Sequence, residues 1–373
     1  MPDSVNATGL RVQQWDDKFF EEYIGQNRFA PDMGTDENAI IQVKEDLTKK
    51  KGDRLTFALV NRLTNDAITG TNTLEGNEED MTSRSHMLEV NKRRNGVRVA
   101  EMSEQKSAIE LRTAARAVLK AWSMADTRTL VIKALNSQRA GNTIETYFTG
   151  AELEARLVAS ATTTNAWLVD NADRTLWGSA GSGGSVFLTE HNKLDTTADL
   201  LKASVLTKAK LLAQTCDPRI TPIRTKGDEE WFVYYGHPRA ISDMVHSDTT
   251  FQSAQREARE RSKENPLFRG ADYVWDGIII RSVPELPVIA ASALTSGSSA
   301  ATCQGFLCGA QALGYGLAKR WNSKTETFDY GDKVGVAIEQ IYGVEKLCFG
   351  TGSGDTDDLK QNGVVSVWTA LSA

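Results

Sequence analysis

Between Asp53 and Met102 the chain reads as two β-limbs joined by a long polar loop, a feature around which no lone globule is easily built. The outgoing limb, "DRLTFALVNRL", alternates Leu55, Phe57, Leu59 and Leu63 with Thr56, Ala58, Val60 and Arg62, the period of a half-buried strand. The loop "TNDAITGTNTLEGNEEDMTSRS" is rich in Thr, Asn, Gly and acids, and "HMLEVNKRRNGVRVAEM" brings the chain back. Glu75, Glu78, Glu79 and Asp80 make the tip acidic, while Arg84, Lys92, Arg93, Arg94 and Arg98 make the return limb basic. A two-stranded ribbon is barely stable alone in water, so this one must lie across another surface.

The leading segment poses the same problem. Residues 1–46 are mostly polar but carry aromatic anchors at Trp15, Phe19, Phe20, Tyr23 and Phe29. Trp15, Phe19 and Tyr23 are four apart, which places them on one face of a short helix. The stretch "GQNRFAPDMGTDENAI" then reads as an extended arm. Its aromatics need a larger body to pack on, either the chain's own or a neighbour's.

Downstream the patterns are those of a mixed α and β body. Ser103 is a favoured N-cap, Glu104 suits the positive end of a helix dipole, and "SEQKSAIELRTAARAVLKAWSMAD" predicts one long helix. Ala108, Leu111, Ala115, Val118, Trp122 and Ala125 form its apolar stripe, and the pattern continues through "TLVIKALNSQ". "GSAGSGGS" (178–185) reads as a flexible connector. "TTADLLKASVLTKAKLLAQ" predicts a second helix over 197–213, with Ala198, Leu201, Val205 and Leu212 on one face. "WFVYYG" is a strand stopped at Gly236, and Pro238 can open the helix after it. Asp276–Gly277, between two β-rich runs, predicts a tight hairpin. "DYGDKVGVAIEQIYGVEKLCF" alternates through Val334, Val336 and Ile338, yet Gly335, Ala337 and Gly343 leave part of its other face bare. "GVVSVWTALSA" suggests a late strand of unassigned partner.

Bulk properties narrow the function classes. With 373 residues the size prior suggests about two domains. A net charge of −6 with interspersed signs gives no basic stripe for nucleic-acid reading. "MPDSVNATGLRVQQWDDKFF" lacks the basic and apolar regions of a signal peptide, and no apolar run approaches ~18 residues, so no membrane partner is expected. Cys216, Cys303, Cys308 and Cys348 are scattered, and buried free thiols are the expectation.

Catalytic motifs are weak throughout. The glycine-rich 178–185 stretch lacks the lysine of a phosphate loop. His86, His191, His237 and His246 have no metal-ligand spacing, so no metal site and no cofactor are expected. His237, between Gly236 and Pro238, reads as a turn histidine bonded to backbone, and Cys303 and Cys308 as core thiols. "QREARERSKEN" (255–265) reads as a solvated helix face of mixed charge. A hydrolytic enzyme with a site around His237 and Asp243 is the rival reading; otherwise no catalytic residue is expected.

The order of parts resembles the podovirus-type family of tailed-phage major capsid proteins with the HK97 fold. The resemblance is carried by "QWDDKFFEEYIGQNRFAPDMG", "KGDRLTFALVNRL", "RRNGVRVAEMSEQKSAIELRTAARAVLKAW", "WFVYYGHPRAI", "NPLFRGADYVWDGIIIRSVPELP" and "QALGYGLAKRW…DYGDKVGVAIEQIYGVEKLCF", in that order over roughly residues 10–350. It implies an α+β fold with an N-arm (1–46), an E-loop hairpin (47–102), a P-domain with a long spine helix and sheet (103–189), an A-domain (190–325), a returning P-domain strand (326–350) and a C-terminal segment (351–373). Relatives in this fold often carry an N-terminal scaffolding or protease-processed segment. An E-loop starting near residue 50 leaves no room for one, so a separate scaffolding protein is expected.

What the resemblance implies is a virion shell of hexamers and pentamers around double-stranded DNA, assembled in the host cytoplasm. A portal protein at one vertex and a decoration or cement protein are further implied partners. Assembly is expected to be non-covalent, and DNA contact weak and non-specific because the chain is acidic. Inter-subunit contacts are expected at Trp15, Phe19, Phe29, Glu78, Glu79, Asp80, Arg84, Arg93 and Arg94, with the acidic tip meeting a basic patch on an adjacent subunit. A cargo-enclosing, encapsulin-like shell of the same fold is a second alternative.

Overall fold

The alternation in "RLTFALV" is realised as the strand Arg54–Val60, paired antiparallel with Ser83–Glu89 in a two-stranded ribbon. The structure is a computed structural model and describes residues 29–48, 52–63, 65–70, 73–107, 109–224, 229–261, 273–290 and 300–372, with side chains left out at 157–160 and 256–261. Its described residues fall into two compact units: a smaller one of Lys92–Thr127 and Lys319–Ile341, and a larger one comprising 29–91, Arg128–Ala318 and 342–372.

The larger unit is organised by a mixed sheet. Its path runs Tyr273–Trp275, Ile278–Ser282, Glu230–Gly236, Thr302–Cys308, Val364–Ala370, Thr175–Trp177 and Gly181–Ser182. Asp276 and Gly277, both at positive φ, close the predicted hairpin between the first two strands. The C-terminal strand Val364–Ala370 lies inside this sheet, antiparallel to Thr302–Cys308 and parallel to Thr175–Trp177, and is buried throughout. Alternate residues face opposite cores, as the pleat requires. Val365 and Val367 join Phe232, Tyr234 and Leu307 beneath the helices Ala203–Thr215 and Pro238–Ser247. Trp368 joins Trp177, Phe187 and Trp167, the last from the helix Gly150–Asp170.

Several local expectations are corrected here. The Gly178–Ser185 stretch is a tight turn leading into a paired strand, where Leu176 and Trp177 face Ser182 and Gly181. Gly178, Gly181, Gly183 and Gly184 all adopt positive φ, and a side chain on Gly178 would overlap Asp199. The second helix begins at Ala203 instead of residue 197. Asp195 accepts the backbone N–H groups of Thr197 and Ala198 at 2.8 and 2.6 Å, holding that stretch in a turn.

The leading segment from Phe29 onward is stitched to its own body. Ile41–Lys44 pairs in parallel with Leu313–Gly316, and Asn38 exchanges two hydrogen bonds with the backbone of Arg224. The ribbon base is likewise anchored: Phe57 and Leu88 share a small core with Leu347 and Phe349. Gly343 is bare because a Cβ there would overlap the Glu89 carbonyl oxygen, so that small residue is what lets the ribbon approach.

In the smaller unit, Asn91–Ala100 runs beside the long strand Lys333–Lys346, and Gly96 sits against Ala337. That strand is one leg of a hairpin with Leu313–Phe328, turned at Asp329–Gly331. The predicted long helix is two helices, Glu101–Lys106 and Leu111–Leu135. Ser103 is therefore inside the first; Ser107 ends it, its N–H bonding Glu104 O and its Oγ accepting from Ile109 N. In the second helix Leu119 is buried and Val118 is 54% exposed, so the stripe runs through the i+4 neighbour of Ala115 rather than the i+3 one.

Candidate functional site

Since the sequence points to surfaces that meet other copies, the site is built from what the protomer leaves outside its cores. Trp15 and Phe19 lie outside the described residues. Phe29 is a correction: it is fully buried within its own chain, its ring 5.0 Å from that of Tyr235. Beside it Asp32 accepts from both the Tyr235 hydroxyl and the Arg281 guanidinium, so this end of the arm is fixed internally.

Two predicted arginines also find partners at home. Arg84 donates to the carbonyl of Gly352, and its neighbour Ser85 donates Oγ–H to Asp355 at 2.6 Å. The Ser85 bonds hold the Asp355 carboxyl below its ordinary range. Arg93 grips the buried Asp126 of the long helix, Nε donating to Oδ2 at 2.6 Å and Nη2 to Oδ1. Strand alternation sends Arg93 toward the helix and turns Arg94 the other way, into solvent.

The ribbon tip is where the protomer stops satisfying itself. Leu63, Leu74 and Met81 are 63, 64 and 73% exposed, and Glu75, Glu78 and Asp80 are exposed beside them. Glu78 accepts from Gly76 N at 2.7 Å and the half-buried Glu79 from Asn65 N at 2.8 Å, bonds that shape the loop.

One cluster escaped sequence reasoning. Glu339 accepts from Lys319 at 2.6 Å and from Lys324 and Lys92 at 2.8 Å each. Those bonds, Lys319's first, hold its carboxyl far below the usual carboxylate range. Three ammoniums thus surround one carboxylate on strands distant in sequence, and no local spacing announces them.

The hydrolase reading fails on geometry. His237 caps the helix Pro238–Ser247, its Nδ1 accepting from Arg239 N at 3.2 Å, as a turn histidine should. Asp243 spends both oxygens on Ser372, accepting its N–H and its hydroxyl. The two residues form no acid–base pair. His191 is buried, with Nε2 2.9 Å from Thr302 Oγ1, and burial pushes it down to about 4. Cys303 and Cys308 are core thiols in a fully buried strand, and burial pushes Cys303 up to about 11. The helix containing the start of the 255–265 charge run extends to Arg261, but its side chains from Arg256 lie outside the described residues. Among the described residues no group of three or more His, Cys, Asp and Glu is placed to hold a metal ion.

An α+β protomer that leaves Leu63, Leu74 and Met81 of its ribbon in solvent suits an assembly subunit. Comparison with known proteins agrees. The phage capsid protein family matches residues 5–373. The major capsid protein of Pseudomonas phage KPP25 is 29% identical over 349 residues, 91% of this chain and 89% of its own. The capsid of cyanophage Pam1 superposes with a TM-score of 0.84 at 29% identity, covering 100% of both chains. The Ralstonia phage GP4 capsid shares the fold at a TM-score of 0.74 and 23% identity, covering 100% of this chain and 99% of its own. The chain belongs to the phage capsid protein family, as a major capsid protein of a tailed phage with the HK97-type fold.

Proposed function

We propose that this chain assembles as hexamers and pentamers into an icosahedral shell that encloses double-stranded DNA, with no catalytic role of its own. Assembly takes place in the host cytoplasm with a separate scaffolding protein, and a portal protein replaces capsomers at one vertex. The segments expected to act as N-arm, E-loop, P-domain and A-domain do so as bracing arm, overlapping ribbon, structural frame and axial domain.

The single observation that carries the reading is the ribbon tip. Leu63, Leu74 and Met81 stay in solvent on a structure whose base is well packed, an arrangement that water disfavours and a neighbour corrects. Obligate interfaces commonly exceed ~2,000 Å², and ribbons laid over neighbours would contribute such area around a whole capsomer. Trp15 and Phe19 belong to the same scheme, and a groove of about 320 Å³ between the long helix and the long hairpin, floored by Leu119, Trp321, Val336 and Ile338, is an apolar receiving surface. Contact with DNA stays weak because the chain carries −6 overall.

Co-expression with the scaffolding protein, followed by gradient sedimentation, electron microscopy and nucleic-acid measurement, tests this. Closed particles that take up DNA with portal present are expected; soluble monomers or dimers only would overturn it.

A further inference from the structure

The larger unit holds a cavity of about 220 Å³ where three elements meet: the end of the long helix, the small hairpin of Gln138–Ala140 and Thr143–Glu145, and the end of the strand Lys333–Lys346. Each element contributes a cation to its wall, Lys133, Arg139 and Lys346 in turn. Among the described residues, Lys133 makes only a ring contact, 6.0 Å from the centre of Phe148. Arg139 uses two of its five donors, Nε on Gly141 O at 3.4 Å and Nη1 on His86 Nδ1 at 3.2 Å. Lys346 is 3% exposed and donates to Ser137 O at 3.0 Å. With the Gln361 amide turned to suit its neighbours, Lys346 gains a second bond there of 3.3 Å. None of these partners is an anion. Burial accordingly pushes the Lys346 ammonium down to about 8.

Glu345 also reaches the wall, but its carboxylate is turned to the ribbon. Its Oε1 accepts from Glu89 N at 3.5 Å, and Oε2 lies 3.4 Å from His86 Nε2. Three positive charges therefore stand against one negative. The helix ends at Leu135 and brings its negative pole here, which draws cations to the spot. That pole is worth only roughly half a charge, so more than one positive charge stays uncompensated. What such a wall lacks is an anion. A water molecule takes about 30 Å³ of liquid, so the cavity admits a phosphate-sized ion with some water and excludes a whole nucleotide. We propose that this cavity binds one free tetrahedral oxyanion, phosphate, gripped by Lys133, Arg139 and Lys346, with the Thr146 hydroxyl as a further donor. The bound ion ties helix end, hairpin and strand together, and shell assembly proceeds with or without it.

Calorimetric titration of the unassembled full-length protein with inorganic phosphate, in chloride buffer at constant ionic strength, tests the site. One saturable site is expected, with a Kd of about 1 mM or tighter. Lys133→Gln and Arg139→Gln should each weaken it about tenfold, since each removes a hydrogen bond to a charged group. The exposed Lys208, which bonds Ser179 O elsewhere, serves as the control, and Lys208→Gln should bind as the wild type does. Lys133→Gln removes no hydrogen bond within the described chain, so its effect is not one of misfolding. Thermal unfolding gives a second reading. Phosphate should raise the Tm of the wild type more than that of Lys133→Gln, whereas its general salting effect acts on both alike. Absence of saturable binding, equal affinity in wild type and Lys133→Gln, or displacement of the ion by duplex DNA of equal phosphate concentration would overturn the site while leaving capsid assembly intact.

Discussion

Arg93 and Asp126 form a two-pronged ion pair between the strand Asn91–Ala100 and the long helix, and the carboxylate is 7% exposed. Its neighbour Arg94, one residue on, faces solvent. Adjacent arginines therefore carry opposite roles. Removing one partner of a buried pair leaves an uncompensated charge, which costs several kcal/mol. Arg93 is itself 36% exposed, so Arg93→Ala is expected to lower protomer stability by about 2 kcal/mol, and Arg93→Glu by more. Arg94→Glu should leave urea unfolding of the protomer unchanged and weaken assembly. Equal unfolding midpoints for the Arg93 and Arg94 variants would contradict the division.

Glu339 gives a pH signature to the smaller unit. Its carboxyl ionises far below its ordinary value of 4.5 because three lysines bond its charged form. The unfolded chain therefore binds a proton more readily, so this stabilisation is present above pH 4.5 and is lost as pH falls toward the depressed value. Unfolding of the wild-type protein and of Glu339→Gln, compared from pH 7 to pH 3, should show a gap that narrows on the acid side. A gap that widens as pH falls would contradict the linkage.

His191 acts in a higher window. Buried against Phe187 and Trp368, with no partner for Nδ1 among the described residues, it stays neutral down to about pH 4, whereas an unperturbed histidine protonates near 6.5. Between those values the unfolded state binds more protons, so stability falls as pH drops from 6.5 to about 4. The loss amounts to about 3 kcal/mol. A His191→Gln variant should lack that slope in denaturant titrations across the window. An unaltered slope would remove His191 from the account.

Gly343 sets how closely the ribbon base approaches the strand Lys333–Lys346. A Cβ there meets the backbone carbonyl of Glu89 and the Leu88 side chain, and backbone cannot swing aside as a surface side chain can. Gly343→Ala is expected to cost about 1–3 kcal/mol, measured by thermal unfolding, and to lower shell yield with it. Wild-type stability in that variant would mean the ribbon sits farther out than described.

These cases also indicate where sequence reading succeeds. Elements with a local chemical cause were legible: the alternation of Arg54–Val60, Pro238 after a capping His237, and Asp276–Gly277 in a hairpin needing positive φ at both positions. The late start of the helix at Ala203 had a local cause too, the Asp195 turn, but helical spacing upstream masked it. Gly178–Ser185 has the composition of a linker; only its strand partner and the nearby Asp199 reveal a tight turn that needs glycine. What depends on distant pairing was not legible. Nothing in "VVSVWTA" names Thr302–Cys308 and Thr175–Trp177 as its neighbours, and nothing in three separated lysines points to Glu339. The candidate contact residues divided for the same reason: Phe29, Arg84 and Arg93 look like surface groups until Tyr235, Gly352 and Asp126 are brought beside them.

The most direct test is a reconstruction by electron microscopy of particles assembled from this protein with its scaffold. Closed icosahedral shells, with each ribbon lying over an adjacent copy, are the expected result. Protomers that remain monomeric, or shells in which every tip folds back on its own chain, would contradict the account.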